Sequence, residues 1–106
     1  MRKFGFAIVL LAAMAAPALA TSGPGCLRIV NVASWDTLNL RARPSASSRV
    51  VQAIDPQNYG VLRLNGTCRP RNVAWGSRWC PVTHFDGDGS RRGWVKARFV
   101  RDSECP

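Results

Sequence analysis

The segment 38–43, read Leu-Asn-Leu-Arg-Ala-Arg, most constrains the fold of this chain, because apolar and polar residues alternate along it without a break. In an extended strand, side chains two residues apart share a face, so the apolar set faces a core and the polar set faces solvent. Pro, Gly, Asn and Asp interrupt the chain at short intervals, and no segment keeps a helical period for three turns. The sequence therefore predicts an all-β protein.

Several apolar segments separated by turn residues read as strands. They are predicted at 27–33, 38–43, 49–54, 59–64, 79–85, 92–95 and 99–100. Asp86-Gly87-Asp88-Gly89 reads as a hairpin turn. Residues 65–78 form a long irregular loop, and a loop of this length in a small domain is usually functional or pinned.

Residues 1–20 read as an export signal. Arg2 and Lys3 precede an apolar run that is short for a membrane span, and Ala18-Leu19-Ala20 is typical of a signal-peptidase site. Cleavage there leaves a single domain at 21–106, with its core at 27–100. We expect this domain to be periplasmic or secreted, without a membrane span.

The four cysteines, Cys26, Cys68, Cys80 and Cys105, all follow the predicted cleavage site. An even number in a small exported domain indicates two disulfides, for which three pairings are possible. Pairing Cys68 with Cys80 closes the long loop, and pairing Cys26 with Cys105 ties the two ends of the domain together, so we favour this arrangement. A metal site is the alternative, but the cysteines lack a Cys-x-x-Cys spacing and the chain has one histidine.

The chain is basic, with 15 Lys and Arg against 6 Asp and Glu. Removing Arg2 and Lys3 lowers the net charge from +9 to +7. This excess favours attraction to polyanions. The charges are scattered along the chain, however, so a basic surface that keeps an exported domain soluble is the favoured explanation.

An ordered set of short motifs runs through nearly all of residues 27–100. It comprises Leu38-Asn39-Leu40-Arg41 with Pro44-Ser45, then Val50-Val51, Val61, Trp79 with Val82, Gly93-Trp94-Val95, and Phe99-Val100. In this order the motifs resemble the bacterial Src-homology-3 (SH3b) domain family.

The resemblance implies a small SH3-like barrel of five to six strands. It also implies a binding role, often towards peptidoglycan peptides or other envelope components, commonly beside a hydrolase domain that is not found in this sequence. Two departures from the family pattern bear on its usual groove. Arg43 stands where many members have glycine, and the 65–78 loop is longer than usual.

The side chains of this sequence do not match a known catalytic arrangement. His84 is the only histidine, paired cysteines offer no thiolate, and no Gly-x-Ser-x-Gly turn is found. The two aspartates of the 86–89 turn suggest calcium, but an EF-hand loop starting there would need Glu where Ala97 stands. We therefore expect no enzyme activity, no metal and no cofactor.

Tryptophans and arginines are the better candidates for a ligand site. Trp75 lies mid-loop without a strand pattern to bury it, whereas Trp94 after Gly93 reads as structural. Guanidinium groups bind carboxylate or phosphate in a bidentate manner and stack on aromatic rings. The candidate ligand-binding residues are Trp75, Trp79, Tyr59, Arg41, Arg43, Arg69, Arg71 and Arg78.

The function expected from the sequence is that of a non-catalytic exported SH3b-type binding module for a cell-envelope ligand, with peptidoglycan first. A periplasmic protein-interaction or inhibitor subunit that docks on an envelope enzyme is the alternative. Non-specific polyanion binding is a third hypothesis, and it would show a steep loss of affinity with salt.

Overall fold

The computed structural model describes residues 25–106, so the predicted export signal lies outside the described residues. Alternation and turn residues divide this part of the chain into seven strands. They are β1 (Cys26–Ile29), β2 (Leu38–Arg41), β3 (Val50–Ile54), β4 (Val61–Leu64), β5 (Trp79–Phe85), β6 (Ser90–Lys96) and β7 (Val100–Ser103). Two short 3-10 turns, Trp75–Ser77 and Ala97–Phe99, precede β5 and β7.

The strands form one antiparallel sheet in the order β3-β2-β6-β5-β4-β1-β7. The all-β prediction is confirmed, but the count of five to six strands is wrong, since the sheet has seven. Strands β3 and β7 are its two edges, so the sheet does not close into a barrel. Residues from both edge strands nevertheless meet in one buried cluster, which requires the sheet to curl around its core.

The core is built from the inward-facing residue of each alternating pair. Seven residues of the core are almost completely inaccessible to solvent, namely Leu40, Ile54, Leu62, Cys80, Val82, Val95 and Val100. The alternation read at 38–43 is confirmed at its start, because Leu38 and Leu40 are buried and Asn39 is half-buried.

The predicted first strand, 27–33, ends early in the structure. Asn31 has a φ of 58°, in the left-handed region, which interrupts an extended strand. The chain then turns where the backbone N–H of Asp36 donates to the carbonyl oxygen of Ala33. Strand β1 therefore stops at Ile29, and the residues after it form the loop to β2.

Both favoured disulfides are confirmed. Cys26 is bonded to Cys105 and Cys68 to Cys80. The first tethers β1 to the segment after β7, its hydrogen-bonded neighbour in the sheet. Two disulfides indicate that the protein folds in an oxidising environment.

Candidate binding site

One outward face of the sheet brings several basic and aromatic side chains together, and strand β6 runs through its middle. Val95 is fully buried, and Trp94 and Lys96 on either side of it are half-buried. Arg92 lies two residues before Trp94 and is exposed. Because residues two apart share a strand face, Arg92, Trp94 and Lys96 all point away from the core.

The strand register places aromatic and cationic side chains side by side on this face. Lys96 is opposite Trp79 of β5, and Trp94 is opposite Arg41 of β2. The Nζ of Lys96 lies 4.8 Å from the ring centroid of Trp79. The guanidinium carbon of Arg69 lies 5.1 Å from the ring centroid of Trp94. Each indole therefore has a cation within the range of a cation–π contact.

Arg69 reaches this face because the 65–78 loop is held against β5. Its backbone N–H donates to the carbonyl oxygen of Trp79 at 2.9 Å, and the Trp79 N–H donates back to the Arg69 carbonyl oxygen at 2.7 Å. The buried Cys68–Cys80 disulfide lies directly beside this pair. The sequence-based interpretation of a loop pinned by a disulfide is thus confirmed.

One hollow on this face, here called the arginine groove, has a volume of about 730 Å³. Arg69, Arg71 and Arg92 line it around Trp94. The side chain of Arg71 donates one hydrogen bond to Thr67 Oγ1 at 3.3 Å. Among residues 25–106 no carboxylate lines this groove, so it offers three guanidinium groups to an anion.

A smaller hollow of about 260 Å³, here called the tryptophan groove, adjoins Lys96 and Trp79. Arg41, Arg98 and Phe99 also line it, and the guanidinium carbon of Arg98 lies 5.5 Å from the ring centroid of Phe99. Its composition combines apolar rings with cations. In the part of the chain that the structure describes, no acidic side chain contributes to its wall.

The structure brings four of the eight sequence-predicted site residues to these grooves. Arg69 and Arg71 line the first groove, and Arg41 and Trp79 line the second. Arg41 also has a structural contact, since its Nη1 donates to the Ser48 carbonyl oxygen at 2.9 Å.

The other predicted arginines have different surroundings. Arg78 is structural, because its guanidinium donates to the carbonyl oxygens of Val73 at 2.9 Å and Arg71 at 3.0 Å, inside the loop. Arg43 is exposed, and its backbone N–H donates to Ser48 Oγ at 2.9 Å.

Trp75 and Tyr59 have packing roles. The prediction that Trp75 is exposed is wrong, because its indole is half-buried against the core. The indole N–H donates to the Val100 carbonyl oxygen at 3.2 Å. Tyr59 also packs against the core, and its hydroxyl accepts a hydrogen bond from the Ile29 N–H at 3.4 Å. A small domain has few apolar side chains, so both aromatic rings are used to extend the core.

Sequence reasoning missed Arg92, Lys96 and Arg98 and assigned Trp94 to the core. The signal for the first two was present, since Arg92-Gly-Trp-Val-Lys96 has the same two-residue alternation that identified β2. Trp35 was also left out, although its side chain is 85% exposed in the loop between β1 and β2. The signal was present, because Trp35 lies between the strands predicted at 27–33 and 38–43 and is flanked by Ser34 and Asp36.

His84 lies on the inward face of β5 and is only 4% exposed. Its Nδ1 lies 2.8 Å from Gln52 Oε1, and its Nε2 contacts the Tyr59 carbonyl oxygen. The amide of Gln52 in turn donates to Asp86 Oδ2 at 3.2 Å. Donation by the Asp88 N–H, and then by Gln52, lowers the pKa of the Asp86 carboxyl from its ordinary value. The only histidine therefore joins strands β3 and β5 to the turn before Gly60.

We expect His84→Leu to reduce the free energy of unfolding by about 2 kcal/mol, because it leaves the Tyr59 carbonyl oxygen and Gln52 without their buried partner. Urea denaturation at pH 7 measures this loss. The exposed Ser90→Ala in the next strand is the control, with an expected change within about 0.5 kcal/mol. Equal stability of the two variants would contradict a structural role for the histidine.

Across residues 25–106 no cluster of three or more His, Cys, Asp or Glu side chains is arranged to hold a metal ion. The 86–89 turn is a hairpin turn as predicted, in which the Asp88 N–H donates to Asp86 Oδ1 at 3.0 Å. No helix in this part of the chain is both long and apolar enough to cross a membrane.

Comparison of the chain with family models, with curated proteins and with solved structures finds no match. The resemblance to SH3b domains therefore stays a prediction from the motifs.

Proposed function

We propose that the protein is an exported, non-catalytic binding module that holds a carboxylate-bearing ligand of the cell envelope, peptidoglycan first, in the arginine groove. One observation carries this proposal: Arg69, Arg71 and Arg92 line a single groove around Trp94. Guanidinium groups bind carboxylates through paired, charge-assisted hydrogen bonds, and an indole offers a flat apolar surface beside them. The peptide stems of peptidoglycan carry free carboxylates on a short flexible chain.

Two further features support a binding role in an oxidising compartment. The four cysteines are paired in disulfides, and the one histidine is buried between Gln52 and Tyr59. These are the side chains most often used as nucleophile or general base, and here they hold the fold. The motif resemblance to SH3b domains and the predicted export signal point to the same class of function.

Arg71→Glu tests the proposal, because the side chain of Arg71 has one weak structural contact and the substitution reverses a charge inside the groove. The full chain, exported so that both disulfides form, is sedimented with purified cell-wall sacculi. We expect Arg71→Glu to weaken binding about tenfold, which corresponds to about 1.4 kcal/mol.

The matched control is Arg28→Glu, the same charge change at an exposed position of β1. We expect it to alter binding less than about twofold, within the usual range of a surface substitution. Equal losses in both variants, together with a steep dependence on salt, would indicate non-specific polyanion binding instead. No loss in either variant would contradict the arginine groove as the site.

A protein partner is the second candidate, and the exposure of Trp35 favours it. A tryptophan that is 85% exposed is the type of residue that dominates the energetics of protein interfaces. If the protein docks on an envelope enzyme through this loop, Trp35→Ala abolishes co-purification of a stoichiometric partner and leaves binding to sacculi unchanged.

A further inference from the structure

We infer that the arginine groove and the tryptophan groove are two halves of one extended site, which binds a peptide carrying two carboxylates, one for each groove. This inference rests on the proposed function and specifies the ligand more closely. It follows from the register of three neighbouring strands and from the charges that line the two grooves.

The first step is that both grooves lie along strand β6. Arg92 and Trp94 line the arginine groove, and Lys96 lines the tryptophan groove. These three residues follow at two-residue steps on one strand face. The Cα atoms of Arg92 and Lys96 are therefore roughly 13 Å apart, at about 3.4 Å per residue.

The second step is that the two grooves border on one cross-strand pair of neighbouring strands. Arg41 is the Cα partner of Trp94 in the register of β2 and β6. Yet Arg41 lines the tryptophan groove, whereas Trp94 lines the arginine groove. Each residue of this pair therefore lines one of the two hollows, and in the extended site the bound chain crosses from one hollow to the other over this pair.

The third step is that the two halves have the same construction. Trp94 is within cation–π distance of Arg69, and Trp79 is within cation–π distance of Lys96. The two indoles are diagonal neighbours, since Trp79 faces Lys96 and Pro81 faces Trp94. Such neighbouring residues are about 7–8 Å apart, with their Cβ atoms somewhat closer, which is about two residues of an extended peptide.

The fourth step concerns the charge of the tryptophan groove, which is the second half of the extended site. Lys96, Arg98 and Arg41 line the tryptophan groove, and no carboxylate from residues 25–106 lines it. The Ser48 carbonyl oxygen takes one N–H of the Arg41 guanidinium, which has five. The second half therefore attracts an anionic group of its own, and its aromatic walls accept the apolar part of the same chain.

A peptide with carboxylates three to four residues apart matches these distances. Extended, it spans about 10–13 Å between the two charged groups. The long side chains of Arg92 and Lys96, at the two ends of the face, accommodate the difference between this span and the separation of their Cα atoms. The probe of choice is a peptidoglycan pentapeptide stem with lysine at its third residue, because it carries two carboxylates, one at its second residue and one at its C-terminus.

The test is isothermal titration of the full chain with this pentapeptide as the free acid and as its two mono-amides. With the free acid, we expect Arg71→Gln and Lys96→Gln each to weaken binding about tenfold. With one mono-amide, only Arg71→Gln weakens binding, and with the other mono-amide only Lys96→Gln does. Arg28→Gln is the matched control, and we expect it to change none of these affinities.

The outcomes separate this inference from the proposed function. If Arg71→Gln weakens binding of every peptide and Lys96→Gln weakens none, the arginine groove is the site and the extended site is wrong. If neither variant has an effect, or if the pentapeptide does not bind, the proposed function fails as well. Arg98→Gln provides a second variant in the tryptophan groove, where it is expected to reproduce the Lys96→Gln pattern.

Discussion

Replacing Cys26 and Cys105 with serine is expected to lower the free energy of unfolding by about 4.5 kcal/mol. The two residues are 79 positions apart, so the disulfide closes nearly the whole described domain and removes much of the entropy of the unfolded chain. Small domains have total stabilities of about 5–15 kcal/mol, and one of this size lies towards the lower end. Urea denaturation followed by tryptophan fluorescence is the measurement, and we expect the variant to be largely unfolded at 37 °C.

The double serine variant at Cys68 and Cys80 is the matched comparison. Its disulfide spans 12 positions, and the same chain-entropy relation predicts a loss of about 3 kcal/mol. Removing the Cys26–Cys105 disulfide is therefore expected to lower the free energy of unfolding more than removing the Cys68–Cys80 disulfide. The reverse order would show that local packing around the buried Cys80, and not the entropy of the unfolded chain, determines the cost.

Gly93→Ala is expected to destabilise the protein by about 3 kcal/mol, at the upper end of the range for overpacked sites. A Cβ atom at position 93 would lie 2.6 Å from the Arg41 carbonyl oxygen and 2.9 Å from Leu40 Cγ. Both atoms belong to β2, so the sheet must open between β2 and β6 to admit the methyl group. Because Trp94 follows directly, the same shift would displace the ring in the arginine groove.

The control for this prediction is Gly66→Ala. A Cβ atom there would meet only Pro81 Cγ, at an ordinary contact distance of 3.7 Å. We expect a change within about 0.5 kcal/mol for this variant. Thermal unfolding of the two variants side by side is the measurement, and similar melting temperatures would contradict the close approach of β2 to β6.

The strands could be predicted from the sequence because alternation and turn residues act locally. The strand predicted at 79–85 has the observed bounds of β5, and the predicted segments number seven, as do the observed strands. The lower count, five to six strands, came from the resemblance to the SH3b family. Two of the bounds that failed depend on backbone conformation at Asn31 and on the 3-10 turn that includes Phe99. Residue type alone does not specify either one.

The candidate site was harder to predict because it depends on which strands become neighbours. Arg69 and Trp94 are distant in sequence, and they meet only because the Cys68–Cys80 disulfide holds the loop beside β5. The sequence pointed to arginine and tryptophan, the residue types that line the two grooves, but its best candidate for an exposed recognition residue was Trp75. In the structure that indole extends the core, whereas the pairing of β5 with β6 leaves Trp79 and Trp94 on the outer face.

The position of the Cys68–Cys80 bond has a consequence for the proposed binding surface before the disulfide has formed. This bond lies beside the Arg69–Trp79 backbone pair that holds one wall of the arginine groove. In a reducing compartment both cysteines are thiols, and the loop that carries Arg69 and Arg71 has no covalent tether to β5. If the arginine groove binds the ligand as proposed, oxidation of Cys68 and Cys80 adds the covalent tether to one wall of the binding surface, and the affinity of the chain would depend on the redox state of its compartment.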